Sequence, residues 1–298
     1  MMTNVNPNCN WFNHLRQMAI RKFEKNGFPS TQMEEWRYTH LAMLQRKNFS
    51  LATYQSLNND LALFKPFQLQ NCYHFVLVDG FFRSEYSYLP QNIATGSISQ
   101  QLEINSDWLS NYIGQAVVKE NNGFIDFNTG YFTDGFFLHL TESAKLDKPI
   151  QIIHLTTQEA IANTRHCIVL EKNSTADIIE TFFHFDNQAY LTVSVLEGFI
   201  ADQAQLNVYK LQNESNKAFH FGGAYIQQNA QAKFIHHNFA LGSLLARSEI
   251  HSDLATAAEC ELNGLYVAKQ KQHLDTHTRI HHQQPRAMSR EFYKGILM

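Results

Sequence analysis

One pattern occurs four times in this sequence: Ala176-Asp177-Ile178-Ile179-Glu180, Ala204-Gln205-Leu206-Asn207-Val208, Ala232-Lys233-Phe234-Ile235-His236 and Ala258-Glu259-Cys260-Glu261-Leu262. In each case a polar turn is followed by a small residue and then by alternating residue types. The leading alanines are separated by 28, 28 and 26 residues. A nearly constant interval of this size indicates supersecondary units that stack on one another. The stretch from about Lys148 to Leu297, which contains the four segments, therefore decides the fold.

Each repeat contains two short apolar stretches joined by a polar corner, as in Leu191–Leu196 and Ala204–Leu211. Such stretches are too short, and too rich in Val, Ile, Phe and Tyr, to be helices. If the repeats stack in register, neighbouring strands lie ~4.8 Å apart. The sequence therefore predicts a mainly β protein built as a parallel β-helix. A β-sandwich is the alternative, because its strands also recur every 8–12 residues or so.

Stacking in register predicts columns of equivalent residues inside the coil. The first column consists of Ala176, Ala204, Ala232 and Ala258, and the second of Ile178, Leu206, Phe234 and Cys260. The residues between the two columns should face outward, since side chains alternate along a strand. Glu180 and His236 also take inward positions. Because a buried polar group needs a partner, we expect these two side chains to belong to a polar patch in the interior.

Composition excludes several classes of protein. The 298 residues are 44% hydrophobic and 17% charged, and the net charge of −3 gives no electrostatic basis for nucleic-acid binding. The four cysteines form no CxxC pair, which is typical of reduced thiols in a cytoplasmic protein. No apolar run is long enough to span a membrane, and Met1–Asn10 does not have the apolar core of a signal peptide.

The N-terminal part differs from the coil. A helix is predicted over Trp11–Lys25, and the acid–aromatic–base segment Glu34–Thr39 follows it. We expect this segment to dock on the body with Trp36 and Tyr38 packed and Arg37 paired; a ligand site is the alternative. The predicted organisation is a helical or α+β cap over residues 1–120 and a β-helix core over residues 121–298. A cap suits a coil whose end would otherwise expose unpaired backbone groups.

Signatures of catalysis are absent from the sequence. It contains no GxSxG element, no cysteine-protease signature and no GxxxxGK[ST] phosphate loop, so we expect no enzymatic activity and assign no catalytic residue. Gly222-Gly223 lies within an apolar stretch, which indicates a bulge or a close backbone contact.

Histidines are the one suggestive group, with 15 in the chain. His273, Asp275 and His277 alternate and so share one face of a strand, and imidazole with carboxylate suits zinc or iron. Their spacing matches no closed zinc site. The alternatives are therefore a metal-binding protein or metal-dependent enzyme that uses these three residues, and a histidine-rich or hydrogen-bonded face with no metal.

Three elements resemble the SufB/SufD family of iron–sulfur cluster assembly proteins, and its SufD branch more closely. The run from Gln272 to Thr278, continued by His282, Ser289 and Tyr293-Lys294-Gly295, is similar to a QHxDxxT…H…S…YKG run late in the family's β-helix. Glu34–Thr39 resembles its E-x-W-[KR]-Y-T element. Thr133-Asp134-Gly135 with Leu146–His154 resembles the family's entry into the coil.

The resemblance implies a right-handed parallel β-helix between an N-terminal helical region and a C-terminal helical domain. It implies a scaffold subunit that works with a SufB-like paralogue and a SufC-like ABC ATPase in cluster biogenesis and iron acquisition, and that also forms homodimers. A cluster would be held only in the assembled complex, and no cofactor by this chain alone.

Members of the family continue well past the YKG strand. Their last rungs, a segment bearing Cys and His, and the helices that contact the ATPase have no counterpart in these 298 residues. On this comparison the chain is truncated, and we expect a chain that ends at Met298 to bind the ATPase poorly and to expose a strand edge.

Overall fold

The structure is a computed structural model that describes residues 9–56, 64–104 and 106–298. Its helices are α1 (Asn10–Asn26), α2 (Ala42–Gln45), α3 (Ile98–Ile104), α4 (Ser106–Leu109) and α5 (Gly123–Tyr131). Its strands are β1 (Tyr73–Val78), β2 (Phe81–Phe82), β3 (Ala94–Ser97), β4 (Phe136–Leu140), β5 (Ile150–Thr156), β6 (Ile161–Leu170), β7 (Thr175–His184), β8 (Leu191–Ile200), β9 (Gln205–Gln212), β10 (Phe219–Gln228), β11 (Lys233–Ala240), β12 (Leu245–Leu254), β13 (Glu259–Ala268), β14 (His273–His282) and β15 (Met288–Leu297).

Successive strands alternate between two sheets. The odd strands from β5 to β15 stack in one sheet, and the even strands from β4 to β14 stack in the other. Within each of these stacks every pairing is parallel, so the chain winds through about six turns. The predicted mainly β solenoid with an N-terminal helical region is thus confirmed, and the sandwich alternative is wrong.

A residue with a left-handed backbone stands at each corner that leads into the odd strands β7 to β15. These residues, with φ values of 56 to 65°, are Asn173, Gln203, Gln231, Ala257 and Arg286. The next residue is small, and Ala204, Ala232 and Ala258 are all completely buried. A left-handed corner costs energy at a residue other than glycine, so we infer that the packing of the small residue inside the coil compensates for it.

The register agrees with the predicted columns in three repeats and differs in one. Leu206, Phe234 and Cys260 stand opposite one another, as predicted. Ala176 stands opposite Leu206, however, and not beside Ala204. Strand β7 has ten residues where β9 has eight, which shifts the first repeat by two positions. Because the shift is even, inward residues still point inward.

The interior is apolar toward one edge of the coil. The inward residues there form one continuous cluster that includes Ile168, Leu196, Leu206, Ile226 and Phe234, each at most 3% exposed. Burial of apolar area is the main favourable term that holds such stacked turns together. The opposite edge of the same interior is polar, and the site described below lies there.

The N-terminal region packs on the outer face of the even-strand sheet. Helix α1 contacts α5, and Trp36 is buried against Phe124 and Phe221. The predicted docking of Glu34–Thr39 is therefore confirmed for Trp36, whereas Tyr38 is 77% exposed and its predicted burial is wrong. The buried partner is Thr39 instead.

Strands β1 and β3 join the two sheets of the coil, although both precede residue 120. The division into residues 1–120 and 121–298 stays a prediction. All four cysteines are free, and those other than Cys72 are buried. Among the described residues, no helix combines the length and the apolar character that crossing a membrane requires.

Candidate functional site

Polar side chains line one edge of the interior, where apolar ones would be expected. In the odd-strand sheet, Glu180, Lys210 and Asn238 stand opposite one another on consecutive strands. In the even-strand sheet, Ser194 and Gly222 occupy one column across the interior from them. Strand alternation directs all of these positions inward, and the polar patch predicted from Glu180 and His236 is confirmed, with both side chains at most 5% exposed.

Glu180 is the acceptor at the centre of one group. Its Oε1 atom lies 3.3 Å from Nε2 of His154 and 3.5 Å from Nε2 of His166. The hydroxyl of Ser194 donates a hydrogen bond of 3.1 Å to the same oxygen. Phe182 stacks on the ring of His154 with centroids 4.2 Å apart, which fixes the plane of that imidazole.

Charges around Glu180 determine its protonation. Burial alone would raise the pKa of the Glu180 carboxyl, but contacts with His154 and His166 and the charge of Lys210 outweigh burial and hold the pKa below its ordinary value. For His166, burial and the neighbouring His154 lower the pKa to about 3. At neutral pH the group is therefore one carboxylate beside a neutral His166 imidazole.

The hydrogen of His166 can be assigned from its other nitrogen. The backbone N–H of Phe136 donates to Nδ1 of His166 at 2.9 Å. In the neutral ring that bond leaves the hydrogen on Nε2, which points at Glu180.

A second group continues from Lys210. Its ammonium donates to Nε2 of His220 at 2.9 Å, and Nδ1 of His220 lies 2.7 Å from Oε2 of Glu214. Glu214 also accepts hydrogen bonds from Thr192 at 2.6 Å and from Gln212 at 2.9 Å. The three titratable groups thus form a Lys–His–Glu chain in which each charge faces an opposite charge or a dipole.

The pKa values of this chain follow from burial and pairing. Burial lowers the pKa of Lys210, although Glu180 and Glu214 oppose that shift. Burial and Lys210 lower the pKa of His220. Burial raises the pKa of Glu214, but His220 and the hydrogen bonds outweigh it, so the pKa lies below its ordinary value. Gly222 makes room for the chain, because a Cβ at that position would lie 2.2 Å from Nζ of Lys210. The close approach at Gly222 is thus made by side chains, and not by the bulge or backbone contact that was predicted.

The three residues singled out on strand β14 lie elsewhere, on the outer face that the N-terminal region covers. Asp275 accepts hydrogen bonds from Arg247 and Thr39, each at 2.5 Å. Nε2 of His273 lies 3.2 Å from the same Thr39 hydroxyl. The ring of His277 instead faces His251, with centroids 5.7 Å apart.

Among the described residues, the set with three metal-ligating atoms within 4.8 Å of one another is His154, His166 and Glu180, and it does not include the β14 residues. The carboxylate of Asp275 is already paired with the guanidinium of Arg247, which also lies 4.0 Å from the centre of the Trp36 ring. Thr39 thus joins His273 and Asp275 by hydrogen bonds, whereas His277 lies apart from them beside His251, and a metal site at these three residues stays a prediction.

Sequence reasoning identified Glu180 and His236 but missed the polar residues around them. His154, His166, Lys210, Glu214 and His220 all lie in or beside strands and are at most 6% exposed. The sequence did contain a signal, which is the alternation of inward and outward positions along each strand. A polar residue at an inward position must find a partner in the interior. Applied to every strand, this rule would have selected His154, His166, Lys210 and His220 as well.

Two family models match consecutive parts of the chain. A family model described as "SufBD protein N-terminal region" matches residues 4–152, and one described as "SUF system FeS cluster assembly, SufBD core domain" matches residues 153–298. The chain is 26% identical over 299 residues to an iron–sulfur cluster assembly SufBD family protein of Synechocystis sp.. It is 24% identical to protein ABCI7, chloroplastic, of Arabidopsis thaliana over 296 residues, and 24% identical to the iron–sulfur cluster assembly protein SufD of Escherichia coli over 302 residues. These alignments cover 94–95% of this chain and 62–65% of each relative, so the chain spans about two thirds of their length.

Proposed function

Because this chain belongs to the SufB/SufD family of the SUF iron–sulfur cluster assembly system and is similar to its SufD branch, we propose that it is a non-enzymatic scaffold subunit of that system. The observation that carries the proposal is the pair of family models that together match residues 4–298. The partners we propose are a SufB-like paralogue and a SufC-like ABC ATPase, in the cytoplasm, with iron and the assembled cluster as cargo of the complex. A homodimer is the alternative assembly.

The structure supports a scaffold in two ways. The stacked turns form a stiff rod whose two sheets are held by regular parallel pairing, a geometry suited to holding partners at fixed positions. The buried titratable groups form ion pairs and hydrogen bonds with one another, and a substrate of ordinary size would have to displace them.

Two motifs of the family resemblance also contact each other. Thr39 of the N-terminal element bonds to Asp275 of the element late in the coil. We infer that these motifs fix the N-terminal region on the rod rather than carry chemistry.

Deletion of the gene, in a strain whose other routes of cluster assembly are disabled, tests the proposal. We expect the iron–sulfur content of client enzymes to fall and to recover when the gene is restored. A variant of the restored gene with the exposed substitution Thr141→Val is the matched control and should behave as the original. Unchanged cluster content in the deletion strain would contradict the proposed function.

A further inference from the structure

Two buried imidazole nitrogens inside the coil point at one carboxylate without completing a hydrogen bond of normal geometry. They are Nε2 of His154 and Nε2 of His166, at 3.3 Å and 3.5 Å from Oε1 of Glu180. Within the described part of the chain, neither nitrogen has a closer partner than this carboxylate. The side chain of His166 is completely buried, and those of His154 and Glu180 are each 7% exposed. Buried polar atoms in folded proteins nearly always have hydrogen-bond partners, and an ordered water or a bound ion is a common explanation where they do not.

The three atoms have the chemistry of a metal site. One atom from each residue can be chosen so that all three lie within 4.8 Å of one another. Two imidazoles and a carboxylate bind first-row transition metals at about 2.0–2.2 Å and leave further coordination positions open. We propose that His154, His166 and Glu180 form a binding site for one divalent transition-metal ion of the class that prefers imidazole nitrogen, such as Zn²⁺ or Fe²⁺.

The surroundings of the three residues hold them in place for such an ion. Phe182 stacks on the His154 ring, and the Ser194 hydroxyl donates to the oxygen of Glu180 that both imidazoles face. Outer contacts of this kind orient metal ligands and raise affinity.

One proton must move when the ion binds. The Phe136 N–H donates to Nδ1 of His166, so the neutral ring carries its hydrogen on Nε2. Coordination through Nε2 transfers that hydrogen to Nδ1, and the Phe136 amide loses its acceptor. Loss of one such hydrogen bond is a smaller term than the free energy with which structural zinc sites bind their ion. The cost lowers the affinity without abolishing the site.

Lys210 opposes the ion, because its ammonium contributes a positive charge near Glu180. Glu214 offsets part of that charge through His220. Glu180, Glu214 and Lys210 therefore place two negative charges and one positive charge in this part of the interior. The two carboxylates offset the repulsion between Lys210 and a divalent ion bound at Glu180.

Equilibrium dialysis of the tag-free chain against Zn²⁺, and against Co²⁺ as a spectroscopic probe, tests the site. We expect one metal per chain, and at least ~100-fold weaker binding in Glu180→Gln and His154→Gln, since loss of an outer contact alone costs 10–100-fold. His139→Gln is the matched control, because His139 pairs with Glu171 at 2.7 Å outside this cluster. It should bind as the original chain does. Binding that is unchanged in both test variants, or that is lost in His277→Gln instead, would overturn the proposal.

Because the buried substitutions could prevent folding, X-ray absorption of the zinc-loaded original chain gives an independent answer. The site predicts nitrogen and oxygen ligands at about 2.0–2.2 Å with two imidazoles and no sulfur. A sulfur ligand near 2.3 Å, or a shell without imidazole, would place the metal elsewhere and contradict the assignment. Nitrogen NMR should also show the hydrogen of His166 on Nδ1 only when metal is present. The inference does not rest on the scaffold function, and its failure would leave that function untouched.

Discussion

The hydroxyl of Thr39 donates a hydrogen bond of 2.5 Å to Oδ2 of Asp275, although 236 positions separate the two residues. Thr39 is 2% exposed, and Arg247 donates to the same carboxylate oxygen. This contact joins the N-terminal region to the late turns of the coil, and both residues belong to motifs of the SufB/SufD family resemblance. The contact gives both motifs a structural role in this chain.

Thr39→Val should therefore loosen the N-terminal region from the rod. The substitution keeps the shape of the side chain and removes the donor to a charged acceptor. We expect the free energy of unfolding to fall by about 1–2 kcal/mol, measured by urea denaturation. Thr141→Val, at an exposed position, is the control. Equal effects of the two substitutions would show that the Thr39 contact contributes nothing specific.

The stacking register predicts a contrast between neighbouring residues. Ala204 is completely buried at a corner, and Gln205 beside it is half-buried and faces outward. Ala204→Phe should overpack the interior and cost about 1–3 kcal/mol, and Gln205→Phe should cost much less. Thermal unfolding of the two variants measures the difference. Similar losses in both would contradict the register.

Gly222 and Lys210 should be coupled energetically. A Cβ at position 222 would lie 2.2 Å from Nζ of Lys210, so Gly222→Ala must displace the ammonium from His220. Lys210→Met removes the nearer of the two clashing atoms, and Nε2 of His220 remains at 2.7 Å. We expect Gly222→Ala to cost less in the Lys210→Met background than in the original chain, with a coupling of about 1 kcal/mol in a double-mutant cycle. Additive effects would show that the alanine is accommodated without moving Lys210.

Stability should fall in mildly acidic solution. The pKa of His166 is lowered to about 3, and that of His236 is likewise lowered to about 3, both by burial first. In the unfolded chain a histidine titrates near pH 6.5, so the unfolded state takes up protons first as the pH falls. Stability is then lost progressively from about pH 6.5 toward pH 3. Each buried neutral histidine contributes a loss of up to about 1.4 kcal/mol per pH unit.

The depressed pKa values of Glu180 and Glu214 add a further loss of stability below about pH 4.3, because these carboxylates are protonated more readily in the unfolded chain.

Urea unfolding of His166→Gln between pH 7 and pH 4 tests the histidine part of this account. The slope of stability against pH should be flatter in this variant by about one proton. His282→Gln, at an exposed histidine, should leave the slope unchanged. An identical slope in His166→Gln and in the original chain would mean that His166 is not buried as a neutral ring.

The repeat pattern in the local sequence was enough to predict the solenoid. The candidate site, in contrast, depends on how distant segments of the chain pair with one another. The interval between Ala204, Ala232 and Ala258 is visible in the sequence because each corner needs a small residue. The misplacement of Ala176 came from two extra residues in β7, and nothing in the local sequence shows which strand is longer.

Polar partners inside the coil were harder to predict. Glu180 meets His154 and His166 because inward positions of three different strands converge, and that convergence depends on register between distant segments. The contact between Thr39 and Asp275 likewise depends on where the N-terminal region comes to rest on the rod. The alternation of side chains along a strand shows which polar residues point inward and need partners. Only the register between the strands of the folded coil shows which partners they find.

The most direct test of the scaffold function is size exclusion with light scattering on the gene product that carries this sequence, at its full natural length, co-expressed with the SufB-like and SufC-like proteins of the same genome. This account predicts a single complex whose mass requires all three proteins. Elution of the gene product apart from both of the others, as a monomer or a homodimer, would contradict it.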